Sequence, residues 1–378
     1  MKQHIRLSRS VIGDLEIEAV KRIMEIGYLG MGPEVGRFED ELKKFIGGDC
    51  YVTCVNTGTS ALILALQACE IGFGDQVLVP TLTYVATFQA ISALGATPVA
   101  VDINPMHGGI DVNDARKKIT QNTKAILPVH YASNFGDYEL IYNLANEFNL
   151  RVIEDACHAF GCKLNGKRCG SFGDVVCFSF DGIKNITSGE GGAVVTKDAS
   201  IIKKIQDARL LGVESDTEKR FSMKRSWEFD VSDQGWRFHM SEIMAAIGRV
   251  QLSRFDEFAK TRVKLAKSYQ KAFKNIDGVN YFDFDYDYEN IVPHIFVLII
   301  DSQKRDKVKS FLESKNIGVG VHYLPNHLLS FFKKSGGVLP NAENLYKKML
   351  TLPLHPKISE KDQENIIECV VEGLSWED

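Results

Sequence analysis

The chain has 378 residues, of which 44% are hydrophobic and 25% charged, a globular composition at a length that suits one large domain plus a smaller one. A formal net charge of -4 excludes a general nucleic-acid binder, whose phosphate contacts need an excess of Lys and Arg. No run of about 18 apolar residues is present to span a membrane, and the initial MKQHIRLSRSVIGDLEIEAV lacks the apolar core and small-residue cleavage site of a secretory signal, so a cytoplasmic location is expected.

Along the chain, short β-rich runs alternate with helical patterns. The runs are YVTCV at 51, DQVLVP at 75, TPVAVD at 97, KAILPVH at 124, RVIEDA at 151, VVCFSF at 175 and GAVVT at 192. They are apolar almost throughout, as strands buried on both faces should be. The expected fold is therefore α/β, with a three-layer α/β/α large domain built on a mostly parallel sheet over 1–252, N-terminal segment included. A smaller α+β domain is expected over 253–378. There, FAKTRVKLAKSYQKAF predicts an amphipathic helix with Val263, Ala266, Tyr269 and Phe273 on one face and solvated lysines on the other. The eight cysteines are scattered, which predicts reduced thiols. Cys157, Cys162, Cys169 and Cys177 form the densest group but lack paired C-x-x-C knuckles, so no metal site is expected.

In an open α/β sheet, ligands bind beyond the carboxyl ends of the strands. Four loops fall there: NTGTS, TLTYVAT, EDACHA and SFDGIKN. Thr57-Gly58-Thr59-Ser60 leads into a helix, whose N–H groups and positive end can hold a phosphate, although any helix start needs small capping residues. Ser179 can add a hydroxyl. Asp155 ends an apolar strand, where a carboxylate must meet a cation or hydrogen-bond donors; it suits a protonated heterocyclic nitrogen or a helix cap. Tyr84 can stack on a planar ring or join the core. A lysine beside such groups, here Lys184, can form a Schiff base with an aldehyde. A phosphate, a pyridine ring and an aldehyde together describe pyridoxal 5′-phosphate, whose ring acts as an electron sink when an acid keeps its nitrogen protonated.

The motifs LGMGPEVGRFE, TGTSALILAL, PTLTYVATFQAI, PVHYAS, IEDACHAFG, FSFDGIKNITSGEGGAVVT, MSEIMAAIGRVQL, IGVGVHYLPNH and LPLHPKISEKD span nearly the whole chain. They resemble the sugar aminotransferases of the DegT/DnrJ/EryC1/StrS family, which have fold type I of the aspartate aminotransferase superfamily. The resemblance implies that Lys184 carries pyridoxal phosphate and Asp155 pairs with its ring nitrogen. It places His158 near the ring oxygen, Tyr84 over the ring face, and Gly58, Thr59 and Ser179 on the phosphate. It further implies a homodimer with shared active sites. In GWRFHM, Arg237 and His239 stand where the family has Asn and Arg; Arg237 is expected either on the partner's cofactor phosphate or paired with an acid at the interface. Met31 is expected to contact substrate, with Pro33 shaping the same turn, and so are His322 and Tyr323, in a turn that also carries His327. The implied reaction passes the amino group of L-glutamate, through the pyridoxamine form, to a nucleotide-linked keto sugar. The favoured product is dTDP-4-amino-4,6-dideoxyglucose, for O-antigen or related glycans. A 3-keto sugar or a GDP- or UDP-linked 4-keto sugar is the alternative. Dehydratases of the family carry His in place of Lys184, which speaks against that branch, and the complete lysine, aspartate and phosphate set speaks against a non-catalytic regulator.

Overall fold

A computed structural model describes residues 4–225, 227–287 and 289–376. All seven apolar runs become strands of one sheet: β1 (Tyr51–Val55), β2 (Gln76–Pro80), β3 (Thr97–Val101), β4 (Thr123–Ile126), β5 (Arg151–Asp155), β8 (Val175–Ser179) and β9 (Gly192–Thr196). A small hairpin, β6 (Lys163–Leu164) and β7 (Lys167–Arg168), lies between β5 and β8 in the chain. The strand order is β1-β9-β8-β5-β4-β2-β3. Five neighbouring strands pair in parallel, and β9 runs antiparallel to both β1 and β8.

Helices cover both faces, which explains why the strands do not alternate with polar residues. Val175 and Cys177 point into one cluster, with Leu62 and Leu66 of the helix Gly58–Ala68. Val176 and Phe178 point into another, with Phe38 and Leu42 of the helix Pro33–Ile46. Ends are set by local chemistry: the side chains of Asp198, Ser241 and Ser359 each accept a backbone N–H in the first turn of the helix that follows, a cap typically worth about 1 kcal/mol.

The C-terminal part holds an antiparallel sheet of β10 (Val279–Tyr281), β11 (Phe296–Ile300) and β12 (Met349–Leu352). The helix Phe255–Phe273 buries Val263, Ala266, Tyr269 and Phe273 while Lys260, Lys264, Lys267 and Lys271 stay exposed. One apolar cluster runs without interruption from Leu62 and Phe88 to Tyr269, Leu298 and Phe332, so the two parts share a core. The chain's start docks on the C-terminal part: Ile5 pairs with Ile317, and Leu354 N–H donates to the Leu7 carbonyl at 3.3 Å. Among the described residues no helix is long and apolar enough to cross a membrane.

Candidate active site

The carboxyl ends of β1, β2, β5 and β8 open onto a cleft of about 400 Å³, lined by Gly58, Thr59, Tyr84, Asp155, His158, Ser179, Lys184, His322 and Tyr323 among others. Its floor is the start of the helix Gly58–Ala68. Thr57 caps that helix, its hydroxyl oxygen accepting Ser60 N–H at 3.0 Å while its carbonyl accepts Ala61 N–H at 3.1 Å. Among the described residues the N–H groups of Gly58 and Thr59, which line the cleft, have no hydrogen-bond partner, as the first turn of a helix requires. A Cβ on Gly58 would lie 2.7 Å from Ser179 Cβ. Only glycine therefore lets the helix start approach β8 closely enough for the Ser179 hydroxyl to join the same anion site. Ser179 Oγ accepts Asp181 N–H at 3.3 Å, which leaves its own proton free to donate.

Lys184 stands in the turn after β8. Its backbone is pinned: Lys184 N–H donates to the Asp181 carbonyl at 3.1 Å, and its carbonyl accepts Arg262 Nη2 at 3.4 Å. The neighbouring Asn185 Nδ2 donates to the carbonyls of Phe160 and Val292, each at 3.2 Å. Burial draws the pKa of Arg262 down to about 10, which leaves it cationic at neutral pH. Against this fixed backbone the Lys184 amine is half-buried and makes no hydrogen bond or ion pair among the described residues. It is free to react.

Asp155 lies buried across the cleft. Its Oδ1 accepts Cys157 N–H at 3.2 Å and its Oδ2 accepts the Thr87 hydroxyl at 2.8 Å. It has donors but no cation among the described residues, so a buried carboxylate is held pointing at open space. Tyr84 is 60% exposed, which removes the core alternative for its ring. It faces Tyr323 at a centroid separation of 5.8 Å. His158 Nε2 bonds the Tyr323 hydroxyl at 2.9 Å, while His158 Nδ1 is buried without a partner. Burial, then the Lys184 charge, holds the His158 imidazole far below its ordinary pKa, and the same two causes bring His322 to about 4. Both rings are neutral at neutral pH.

Two expected residues lie elsewhere. Met31 is fully buried beside Val35 and Phe38 and does not line this cleft. The turn it belongs to is held by Glu242, whose carboxylate accepts Glu34 N–H and Val35 N–H at 3.0 Å each. Arg237 does not line this cleft. It sits in a separate depression with Asp216, Arg220 and His239, its backbone bridged to Leu210 and its side chain exposed. His327 is buried behind the cleft, with Nδ1 2.8 Å from the Thr81 hydroxyl and Nε2 3.2 Å from Glu343.

Sequence analysis missed Thr87 and His294. The His294 ring packs 4.4 Å from His158 and is held neutral chiefly by burial. Only Thr87 carried a signal, as a hydroxyl in a helix turn that follows a strand end. Cys50, Cys54, Cys69, Cys157, Cys162, Cys169 and Cys177 form no disulfide among the described residues. Among the described residues the one group with metal-ligating spacing is His130, Glu154 and Cys169. Its carboxylate already accepts from His130 at 2.7 Å, Tyr142 at 2.6 Å and Tyr138 at 3.2 Å.

Residues 10–371 match the model of the DegT/DnrJ/EryC1/StrS aminotransferase family. The spore coat polysaccharide biosynthesis protein SpsC of Bacillus subtilis (strain 168) is 37% identical over 372 residues, covering 96% of this chain and 95% of that protein. The crystal structure of the aminotransferase TlmJ from Streptoalloteichus hindustanus superposes with a TM-score of 0.91 over 99% of each chain, at 29% identity. A Streptococcus pneumoniae structure in its pyridoxal phosphate form superposes with a TM-score of 0.89, again over 99% of each chain, at 28% identity. The groups of the cleft fit that cofactor: two open N–H groups and a hydroxyl that can donate to a phosphate, a buried carboxylate that can accept from a protonated ring nitrogen, and an amine, unpaired among the described residues, for an aldehyde. The chain thus belongs to the DegT/DnrJ/EryC1/StrS aminotransferase family and is a sugar aminotransferase that works with pyridoxal phosphate.

Proposed function

We propose that the enzyme moves the amino group of L-glutamate to dTDP-4-dehydro-6-deoxyglucose, yielding dTDP-4-amino-4,6-dideoxyglucose in the cytoplasm for an O-antigen or related glycan. The observation that carries the chemistry is the unpaired Lys184 amine on a pinned turn, facing Asp155 and an open helix start in one cleft. When bound, pyridoxal phosphate supplies an aldehyde that takes up the amino group and a ring that accepts electron density. The open N–H groups of Gly58 and Thr59, with the Ser179 hydroxyl, hold its phosphate. The Asp155 carboxylate keeps a proton on the ring nitrogen, His158 meets the ring oxygen, and Tyr84 covers the face. Lys184 Nζ takes a proton from the donor's Cα and returns it at the cofactor's C4′. His322 and Tyr323 form the wall that meets the sugar.

A homodimer completes this site. The exposed Arg237 side chain on a bridged backbone suits a contact with the partner's cofactor phosphate, a charge-assisted bond. The sugar assignment rests on the family and on SpsC, whose description names a polysaccharide. The test is incubation with glutamate and a panel of dTDP-, UDP- and GDP-linked 3-keto and 4-keto sugars, with NMR of the product. Nitrogen on carbon 4 of the dTDP sugar is expected. Turnover confined to a 3-keto sugar, or to a GDP- or UDP-linked one, overturns the assignment in favour of that acceptor.

A further inference from the structure

We propose that Thr87, fed by Thr83 and clamped through Asn326, is a positioning residue that aims the Asp155 carboxylate at the cofactor's ring nitrogen. This rests on the role given to Asp155 above. Thr87 and Thr83 are both buried. Thr87 Oγ1 lies 2.8 Å from Asp155 Oδ2 and 3.2 Å from the Tyr84 carbonyl. A hydroxyl has one proton, and the shorter, charge-assisted contact takes it. Thr83 Oγ1, 2.9 Å from Thr87 Oγ1, must then be the donor of that pair. Both hydroxyls point their protons toward Asp155, and each bond polarises the next.

The segment that carries these threonines is gripped from the C-terminal part of the chain. Asn326 Nδ2 donates to the Thr83 carbonyl at 2.8 Å and to the Thr81 carbonyl at 3.1 Å, and Asn326 N–H donates to the Thr81 carbonyl at 2.9 Å. Next to it, His327 N–H donates to Thr81 Oγ1 at 3.2 Å. Tyr84 lies between Thr83 and Thr87, so one clamp places both the ring-covering aromatic and the donor to the acid. Residues far apart in sequence thereby fix the angle of a carboxylate that has no cation of its own among the described residues. Without Thr87, Oδ2 loses its buried donor and Asp155 becomes the stronger proton acceptor. With the cofactor bound, Asp155 would then draw the ring-nitrogen proton more strongly toward itself, and the visible cofactor band would keep its protonated form to higher pH.

The test uses purified holoenzyme carrying Thr87→Val, Thr87→Ser, Thr83→Val or Asp155→Asn. Each is assayed for the pH midpoint of the visible cofactor band, for kcat and the glutamate KM separately, and for Tm. Thr87→Val is expected to raise the midpoint by about half a unit or more and to lower kcat about tenfold with KM little changed. Thr87→Ser restores both, which a purely steric role would not produce. Thr83→Val shifts both in the same direction by a smaller factor, and it carries the test if the Thr87→Val protein does not fold. A wild-type midpoint and kcat in a folded Thr87→Val, or in Thr83→Val should Thr87→Val not fold, while Asp155→Asn is impaired, overturns the relay alone. Wild-type behaviour of Asp155→Asn overturns the role of the acid itself.

Discussion

Glu154 and Asp155 are consecutive carboxylates on β5 that point to opposite faces of the sheet. Glu154 is wholly buried and its oxygens are occupied by His130, Tyr138 and Tyr142. Asp155 is nearly as buried, but among the described residues its carboxylate accepts only from Cys157 N–H and the Thr87 hydroxyl, and it faces the cleft. The difference teaches that burial alone does not mark a functional acid. A buried carboxylate whose partners are complete is part of the scaffold, whereas one that is aimed but only partly satisfied is available to a ligand.

The largest test of this contrast lies beside it. Lys184→Ala should remove turnover and the visible band while leaving Tm close to wild type, because the amine has no hydrogen bond or ion pair among the described residues. Borohydride trapping and peptide mapping should find the cofactor on Lys184 alone. Next come the two acids themselves. Asp155→Asn is expected to cut kcat about a hundredfold with little change in Tm. Glu154→Gln should do the reverse, destabilising the fold by about 3 kcal/mol while the folded fraction keeps its specific activity. Equal effects of the two substitutions on kcat would erase the distinction.

The proposed homodimer would extend the contrast to Arg237. Arg237→Ala should weaken cofactor retention about ten- to hundredfold, the worth of one charge-assisted bond. Coexpression of Arg237→Ala with Lys184→Ala should yield a heterodimer with about half of wild-type activity, since one site then holds both intact residues. Normal cofactor binding by the Arg237→Ala homodimer would leave the arginine with an interface role only.

The smallest effect is a slope with pH. His239, His322 and His355 are each held by burial at a pKa of about 4 instead of 6.5, and burial also pushes His158 and His294 well below their ordinary value. Below pH 6.5 the unfolded chain takes up protons that the folded chain refuses until about pH 4, so stability falls as pH drops through that window. Calorimetry from pH 7 to 4.5 should show Tm falling by at least about 5 °C, and His322→Gln should flatten the slope.

Much of the molecule was legible from short-range chemistry. The seven strands follow from apolar runs of strand length, the helix Phe255–Phe273 from its stripe of Val263, Ala266, Tyr269 and Phe273, and the helix start at Gly58 from the cap at Thr57. Lys184 stood out because a lone lysine lies between a buried strand and a glycine-rich return. Each of these signals is complete within about twenty residues.

What the tertiary structure alone decided is the set of partners. Met31 entered the core, His327 turned behind the cleft to Thr81, and Arg237 came to lie exposed in a depression outside the cleft. The Thr83–Thr87–Asp155 relay and the approach of His294 to His158 join residues 68 and 136 positions apart, measured from Thr87 to Asp155 and from His158 to His294. The physical reason is the range of the forces involved. Hydrophobic periodicity and turn chemistry act between near neighbours and leave their pattern in the sequence. The hydrogen-bond partner of a buried polar group is set by which strands and loops the sheet order brings side by side, and that order places β5 between β4 and β8 with the Thr81–Thr87 segment beside its end.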